Sequence, residues 1–253
     1  MDMMQATMTV QVQFLGSGDA FGSGGRLQSC ILVSHSGGRF LIDCGATAMA
    51  SLRRFDIDPN TVNSVFLTHL HGDHFGGLPF FILDAQLVSR RGAPLLLAGP
   101  PGFAKRLPGA MEAFFPGSSG VKRKFEIDIK EMEPRVSLSA GAVRVTPFTG
   151  LHPSGENAYS LRIEVDGKVI ACSGDTEWTD ALGEAARGAD LLIAEAYFYE
   201  KKVPYHLDYR TLMEKSAGLG IRRIVITHMS TDMLSKTGLA ECEVADDGKV
   251  LAL

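Results

Sequence analysis

The stretch from residue 65 to residue 74, Val-Phe-Leu-Thr-His-Leu-His-Gly-Asp-His, places four metal-ligand side chains directly after an apolar segment. Val65 to Thr68 is β-branched and aromatic, which predicts a buried strand. His69 and His71 are two residues apart, so their imidazoles point the same way in an extended segment. Gly72 permits a tight bend that turns Asp73 and His74 toward the same cavity.

This group of side chains favours a site for divalent metal ions. Imidazole and carboxylate ligands together suit zinc, manganese or iron. A single tetrahedral ion could not use all four groups and further ligands from elsewhere, so we expect a pair of ions. Surface loop histidines without a function are the alternative, but three of the seven histidines of the chain fall within six residues here.

The segment Leu67–Leu78, with the wording L-T-H-L-H-G-D-H-F-G-G-L, resembles the signature of the metallo-β-lactamase superfamily, and most closely its ribonuclease Z and phosphodiesterase-like branch. The resemblance covers nearly the whole chain and implies an α/β fold, the four-layer αββα sandwich. The predicted elements agree, because they form two strand-rich halves that each finish with helices. We therefore expect a single domain over residues 1–253.

The resemblance also implies a dinuclear centre whose ligands are spread along the chain. Three further residues each follow a predicted strand and match the remaining ligands of the superfamily: His152, Asp175 and His228. The implied set assigns His69, His71, His152 and Asp175 to one ion and Asp73, His74, His228 and Asp175 to the other, so that Asp175 bridges. Zinc is the expected metal, with manganese or iron as alternatives.

Three residues are candidates for catalysis: Asp73, Glu195 and His206. His206 resembles a histidine that lies beside the metals without being a ligand, and we expect a general acid there; a surface histidine preceding a helix is the alternative. Glu195 follows a predicted strand and is expected to hold the tautomer of His206 and to raise its pKa. Asp43 resembles the aspartate that supports a ligand histidine.

The implied activity is that of a metal-dependent hydrolase. We expect a phosphodiesterase that acts on a small phosphodiester or a short nucleotide substrate through a metal-bridging hydroxide. Hydrolysis of a carboxylic ester, lactone, thioester or β-lactam is the first alternative, because the same ion pair polarises a carbonyl. A metal-bound adaptor without turnover is a further alternative, which the complete ligand set argues against.

Two departures argue against tRNA processing. Members of the branch that process tRNA usually carry His-Glu-Ala-Thr where this chain has Ala-Glu-Ala-Tyr at residues 194–197. They also extend an arm between the third histidine and the bridging aspartate, whereas one predicted hairpin joins His152 to Asp175 here. A ribonuclease Z-type tRNA 3′ endonuclease therefore stays only as an alternative.

Composition limits the partners of the chain. A formal net charge of −4 and a pI near 6.0 exclude a global basic field, so we expect no strong nucleic-acid binding. No apolar run reaches about 18 residues, so no membrane partner is expected. The four scattered cysteines are typical of a reducing compartment, and we expect a cytoplasmic protein. A homodimer is compatible with the sequence.

Two other features of the sequence are the glycine-rich loop after the first predicted strand and His35. The loop Gly16–Gly25 is rich in glycine, but it lacks the Gly-x-Gly-x-x-Gly spacing and no lysine follows it, which excludes a dinucleotide fold. The loop resembles the one that borders the metal cleft in the ribonuclease Z branch. His35 lies in a predicted hairpin turn and is expected to be exposed.

Overall fold

The computed structural model describes residues 9–155 and 157–253, and these form two facing seven-stranded sheets with helices on the outer faces. The first half of the chain contains strands β1 (Gln11–Gly16), β2 (Cys30–His35), β3 (Gly38–Ile42), β4 (Val62–Phe66), β5 (Leu95–Gly99) and β6 (Ile127–Glu131), and helices α1 (Ala48–Arg54), α2 (Gly72–Phe75), α3 (Leu78–Leu87) and α4 (Phe103–Phe114).

The second half repeats this arrangement. It contains strands β7 (Leu138–Ala140), β8 (Val143–Thr149), β9 (Tyr159–Val165), β10 (Lys168–Cys172), β11 (Leu191–Glu195), β12 (Ile224–Thr227), β13 (Glu243–Val244) and β14 (Val250–Ala252), and helices α5 (Asp180–Ala186), α6 (Tyr209–Ser216) and α7 (Thr231–Leu234). The sheet orders are β14-β1-β2-β3-β4-β5-β6 and β13-β12-β11-β10-β9-β8-β7. The last strand thus crosses to the first sheet and pairs antiparallel with β1.

Apolar side chains fill three layers between these elements. The central layer joins the two sheets and includes Phe14 and Phe66 from the first sheet and Leu161 and Ile193 from the second. A second layer packs α1, α3 and α4 against the first sheet, and a third packs α5, α6 and α7 against the second. Because each sheet is covered on both faces, the fold is the expected four-layer αββα sandwich.

Parallel strand pairing explains where the loops of interest lie. β3, β4, β5 and β6 are parallel neighbours, and so are β10, β11, β12 and β13. Such strands are buried on both faces and read as continuous apolar runs, as in residues 191–194, which are 0% exposed. The carboxyl ends of parallel strands meet at one edge of a sheet, where ligands usually bind. The predicted ligands follow these ends, except that His152 follows β8, which pairs antiparallel with β7 and β9.

The expectation that His35 is exposed is wrong. His35 ends β2 and is 7% exposed, with its ring centroid 5.9 Å from that of Phe40. Its Nδ1 accepts a hydrogen bond from the backbone N–H of Gly37. The neighbouring Ser36 donates from N and Oγ to Asp166, in the turn between β9 and β10 of the other sheet. Tertiary packing between two turns therefore encloses a residue that the local turn pattern places at the surface.

The remaining sequence expectations concern cysteines and membranes. Cys30, Cys44 and Cys172 are buried and Cys242 is partly buried, and all four are free thiols, as expected. Burial raises the pKa of Cys172 to about 12. Among residues 9–155 and 157–253, no helix combines the length and apolarity that crossing a bilayer requires.

Candidate metal centre

All seven predicted ligands lie together at the edge where the parallel strands end. His69 follows β4, His152 follows β8, Asp175 follows β10 and His228 comes directly after β12. The short helix α2 then carries the last two ligands of the motif, Asp73 and His74. The ligand atoms divide into two adjoining groups, within each of which all atoms lie no more than 4.8 Å from one another.

The first group, called here the open cluster, consists of His69, His71 and His152. Nε2 of His152 lies 3.1 Å from Nδ1 of His71. The rings of His69 and His71 meet edge to face, with centroids 4.8 Å apart. His69 is fully buried, whereas His71 and His152 are only partly buried, so this cluster faces solvent.

The second group, called here the buried cluster, consists of Asp73, His74, Asp175 and His228. Nε2 of His74 and Nε2 of His228 are 3.4 Å apart. Oδ2 of Asp73 lies 3.4 Å from His74 Nε2 and 3.3 Å from His228 Nε2. All four residues are at most 8% exposed.

Asp175 lies between the two clusters. Its Oδ2 is 3.9 Å from Nε2 of both His69 and His152, and 3.4 Å from Nε2 of His228. Its Oδ1 is 3.2 Å from Nε2 of His74. One carboxylate therefore faces both groups of imidazoles, which is the place of a bridging ligand.

The donor set fits divalent metal ions. Nε2 of His69 is buried and has no hydrogen-bond partner within the described residues, although buried polar atoms normally have one. Ligands at about 2.0–2.1 Å from a tetrahedral ion stand about 3.3 Å from one another, close to the spacings of the buried cluster. Five imidazoles and two carboxylates converge without any thiolate, which suits zinc, manganese or iron.

Outer residues hold the ligand rings in place. Nδ1 of His74 lies 2.7 Å from Oδ2 of Asp43. The Thr68 N–H donates to Oδ1 of the same carboxylate, and the Thr68 hydroxyl donates to Oδ2. Nδ1 of His152 lies 3.0 Å from the backbone carbonyl of Tyr205. Such partners accept a hydrogen bond from Nδ1–H, which leaves the lone pair of Nε2 free to bind a metal. Asp43 thus has the position that the resemblance implies for it.

The backbone around the ligands is strained. His228 has φ 55° and Asp43 has φ 59°, both in the left-handed region that non-glycine residues seldom adopt. The N–H of His228 donates to the carbonyl of Ser17 at 3.1 Å. Gly174, before Asp175, has φ 60°, and a Cβ there would lie 2.8 Å from the Tyr159 carbonyl. Strain of this kind persists where the surrounding structure fixes it, often at functional sites.

The charges of the buried cluster compensate one another. Burial opposes ionisation of Asp175, but His228 and His74 hold its pKa well below the usual value. Burial likewise opposes a charge on His74, yet Asp175 and Asp43 raise its pKa. In the open cluster, burial lowers the pKa of His69, which favours the neutral form that binds metals.

Glu195 and His206 lie beside the clusters. Oε2 of Glu195 is 2.9 Å from Nδ1 of His206, and its Oε1 accepts the N–H of Thr176 at 2.5 Å. The expected rise in the pKa of His206 is not found: burial lowers it. Burial also raises the pKa of Glu195 well above its ordinary value, helped by Asp175. The pair nevertheless has the expected contact, and His206 groups with His152 and Asp175.

Sequence reasoning did not assign a role to several residues that shape the site. The ring of Tyr197 stacks on His206 with centroids 4.7 Å apart. The carbonyl of Ser17 fixes His228, and Asp247 in turn accepts hydrogen bonds from the N–H and hydroxyl of Ser17. Tyr197 occupies the position at which the tRNA-processing pattern has threonine. This difference was the only feature of the sequence that pointed to the residue. No local pattern links Asp247 to residue 17, 230 positions away.

Comparisons with known proteins agree with the fold. The chain is similar to the metallo-β-lactamase fold protein YhfI of Bacillus subtilis, with a TM-score of 0.79 and 19% identity over 97% of this chain and 100% of that one. The short form of human tRNase Z gives a TM-score of 0.77 and 25% identity over 95% and 98%. A ribonuclease Z of Exiguobacterium is 26% identical over 94% of both chains.

Residues 10–249 match the family described as Anti-Pycsar protein Apyc1. The match includes every predicted ligand, from His69 to His228, and every strand except β14. With the neighbours above, it supports the expected ribonuclease Z and phosphodiesterase-like branch of metal-dependent hydrolases. The chain therefore belongs to the Apyc1 family, within the metallo-β-lactamase superfamily.

Proposed function

We propose that this chain uses two divalent ions to hydrolyse small phosphodiesters or short nucleotide substrates, with zinc as the expected metal and manganese or iron as alternatives. The observation that carries the proposal is the position of Asp175, whose carboxylate faces both clusters. His69, His71, His152 and Asp175 would hold one ion, and Asp73, His74, His228 and Asp175 the other. Two ions at this spacing of ligands suit displacement at phosphorus.

The protein supplies orientation and exclusion of water in this proposal. When bound, the ion pair would bring the pKa of water near 7 and stabilise charge on the attacking and leaving oxygens. Asp43 and the Tyr205 carbonyl hold His74 and His152 with Nε2 toward the site. Asp73 takes part through its carboxylate, which hydrogen-bonds His228 and is almost fully buried.

His206 is placed to give a proton to the leaving group. Its Nδ1 contacts Glu195, its ring is stacked on Tyr197, and Nε2 makes no hydrogen bond within the described residues. Burial raises the pKa of Glu195, and a protonated Glu195 donates its hydrogen bond to Nδ1, so the neutral ring carries its own proton on Nε2. That proton could pass to the departing oxygen while Nδ1 takes the proton of Glu195, which leaves Glu195 as a carboxylate. General-acid assistance of this kind typically contributes about 10² to 10⁴ in rate.

The substrate class rests on charge and on the length of the connection after His152. A single hairpin, β9 and β10, joins His152 to Asp175, and the chain carries a net charge of −4. Neither feature favours a long nucleic-acid partner. The family description names action against Pycsar, and we propose that role for this chain too. The cytoplasmic location and the homodimer remain predictions.

A substrate panel tests the reaction class. The metal-loaded protein would be assayed on bis(p-nitrophenyl) phosphate, a lactone and a cephalosporin, with His228→Ala as the control for the metal centre. We expect hydrolysis of the diester, and a loss of this activity in the control. Turnover of the lactone or the cephalosporin alone would contradict the proposal.

tRNA 3′ processing is the second candidate, because ribonuclease Z of Exiguobacterium aligns over 94% of both chains. We expect weak and salt-sensitive tRNA binding. Cleavage of precursor tRNA at its 3′ end at rates well above those on small diesters would establish this candidate instead.

Leaving-group dependence tests His206. We expect His206→Ala to slow diesters with poor leaving groups far more than p-nitrophenyl esters, because p-nitrophenolate needs little protonation. Metal content would stay unchanged. Loss of metal would instead make His206 a ligand, and equal slowing of both substrates would make it a residue that positions the substrate.

A further inference from the structure

His206 is partly exposed, although its proposed role requires a fixed orientation. Its side chain is 24% exposed, whereas that of its partner Glu195 is 1% exposed. The contact of 2.9 Å between Oε2 of Glu195 and Nδ1 fixes one corner of the ring. Hydrogen bonds weaken steeply only below angles of about 120°, so this contact leaves the ring plane free to tilt. A tilt would carry Nε2 away from the leaving oxygen.

The ring of Tyr197 covers a face of the His206 ring. The two rings are stacked, with centroids 4.7 Å apart and planes inclined by 28°. Aromatic pairs in contact have centroids about 4.5–7 Å apart, so these two rings touch closely. The Phe198 ring packs edge to face against Tyr197, with centroids 5.0 Å apart. A second aromatic ring therefore helps to fix the one that contacts His206.

Backbone hydrogen bonds fix Tyr197 relative to His206. The N–H of Tyr197 donates at 2.8 Å to the carbonyl of Leu207, the residue that follows His206. The carbonyl of Tyr197 accepts from the N–H and the hydroxyl of Ser230. Tyr197 is therefore anchored on both sides, and one of its anchors belongs to the segment that carries His206.

The face of the Tyr197 ring, and not its hydroxyl, makes the contact with His206. Within residues 9–155 and 157–253, the hydroxyl forms no hydrogen bond. The ring of the ligand His228 is more distant, with its centroid 6.1 Å from that of Tyr197. The tRNA-processing pattern has threonine at this position, and threonine has no ring that could stack.

We propose that Tyr197 is a positioning residue that holds the plane of the His206 ring, so that Nε2 faces the leaving oxygen; this inference rests on the proposed function. Glu195 fixes the Nδ1 corner and Tyr197 fixes the plane, and the two contacts together determine the direction of Nε2. Because a misplacement of about 1 Å can cost about 10²-fold in rate, loss of the stack should slow proton transfer while the ions stay bound.

Three variants and two diesters test this role. Tyr197→Leu removes the ring, Tyr197→Phe keeps it, and Tyr199→Leu is the matched control, because Tyr199 stacks on Tyr209 instead. We expect Tyr197→Leu to slow hydrolysis of diphenyl phosphate by about 10- to 100-fold. Its rate on bis(p-nitrophenyl) phosphate should change little, because p-nitrophenolate needs little protonation. Tyr197→Phe and Tyr199→Leu should leave both rates unchanged.

The same substitution in a His206→Ala background separates an effect through His206 from an independent one. A residue that acts only through His206 has no further effect once that ring is gone, so the double variant should be as slow as His206→Ala alone. An additional loss in the double variant would overturn the proposal. Equal slowing of both diesters or loss of bound metal in Tyr197→Leu would also overturn it, as would similar slowing in Tyr197→Phe or Tyr199→Leu.

If the wild type cleaves neither diester, the proposed function fails, and NMR of the zinc-loaded protein then decides whether Tyr197 orients His206. The ring protons of His206 are assigned from their absence in His206→Ala. The ring of His152 lies 5.0 Å from that of His206 between centroids, so nuclear Overhauser effects between the two rings report the orientation. We expect these effects to persist in Tyr197→Phe and to weaken in Tyr197→Leu. Unchanged effects in Tyr197→Leu would overturn the inference.

Discussion

The open cluster and the buried cluster both face the carboxylate of Asp175 but differ in solvent exposure and in support. His71 and His152 of the open cluster are partly exposed, whereas every member of the buried cluster is at most 8% exposed. The buried cluster also contains both carboxylates. Charge taken out of water must be compensated within the protein, and removal of one partner leaves the other uncompensated.

The groups that hold the ligand side chains in place also differ between the two clusters. The buried cluster has Asp43 against His74 and the Ser17 carbonyl against the N–H of His228. The open cluster has two uncharged contacts, the Tyr205 carbonyl with Nδ1 of His152 and the Thr68 hydroxyl with Nδ1 of His69. We therefore expect the buried cluster to bind its ion more tightly, and substitutions there to have larger effects. The following predictions test this difference, from the largest effect to the smallest.

Asp175→Ala should have the largest effect, because it removes a carboxylate from both clusters at once. We expect the metal content after reconstitution to fall below one ion per chain, and diester hydrolysis to fall by about 10³-fold or more. Metal analysis and rates on bis(p-nitrophenyl) phosphate measure both. Retention of two ions by this variant would show that the clusters are independent.

Asp43→Asn should selectively weaken the binding of one ion, that of the buried cluster. Loss of such a ligand support typically costs about 10–100-fold in metal affinity. Within the described residues, Asp43 contacts His74 directly and reaches His69 only through the Thr68 hydroxyl. Competition with a chromophoric chelator would separate the two binding steps. His71→Ala is the mirror variant, which should weaken the other ion. Equal weakening of both ions in Asp43→Asn would remove the distinction between the clusters.

Asp247→Ala should have a smaller effect on the same cluster. Asp247 accepts hydrogen bonds from Ser17 N, Ser17 Oγ and Leu27 N, and the Ser17 carbonyl accepts the N–H of His228. We expect about a tenfold loss of affinity for the ion of the buried cluster, at the lower end for indirect supports. Chelator competition checks this.

Asp246→Ala is the control for that substitution, because Asp246 is adjacent and its side chain is 74% exposed. It should leave both affinities unchanged. If the two aspartate variants lower thermal stability equally and keep both ions, Asp247 supports the fold and not His228.

His35 provides a histidine outside both clusters, and its effect should be the smallest. Burial lowers its pKa below 6.5, although Asp166 opposes the shift. As the pH falls below about 6.5, the unfolded chain therefore binds a proton at His35 before the folded protein does. The neutral, buried His35 thus contributes to the free energy of unfolding above about pH 6.5, and this contribution is lost as the pH falls below that value.

In His35→Gln, the free energy of unfolding should therefore fall less steeply between pH 7.5 and 5.5 than in the wild type. Urea unfolding of both proteins in chelator measures this, because the metal-ligand histidines then titrate alike in each. An unchanged slope would show that His35 does not titrate differently in the folded state.

Much of the site could be predicted because its ligands follow strands with a clear local signal. Residues 65–74 combine an apolar strand with a dense ligand motif, and residues 191–193 and 224–227 are short apolar runs. The short strands β7, β13 and β14 and the helices α5 and α7 were not predicted. Strands of two or three residues carry almost no periodicity, and β14 exists through its pairing with β1.

The outer residues of the site were harder to predict for a related reason. Tyr197 has an ordinary place after β11, yet it stacks on His206 across a loop. The burial of His35 depends on Ser36 meeting Asp166 from the other sheet. The direction of the pKa shift at His206 follows from burial, which outweighs the charge of its neighbours.

The sequence by itself determined the types of ligand, their order and the layered fold, because ligand chemistry and strand periodicity are local properties. The tertiary structure alone decided which ligands are buried, that Asp175 faces both clusters, and that Asp247 reaches the loop at Ser17. These features depend on contacts between residues far apart in the chain. Their geometry is fixed only when the two sheets pack together and close the metal edge.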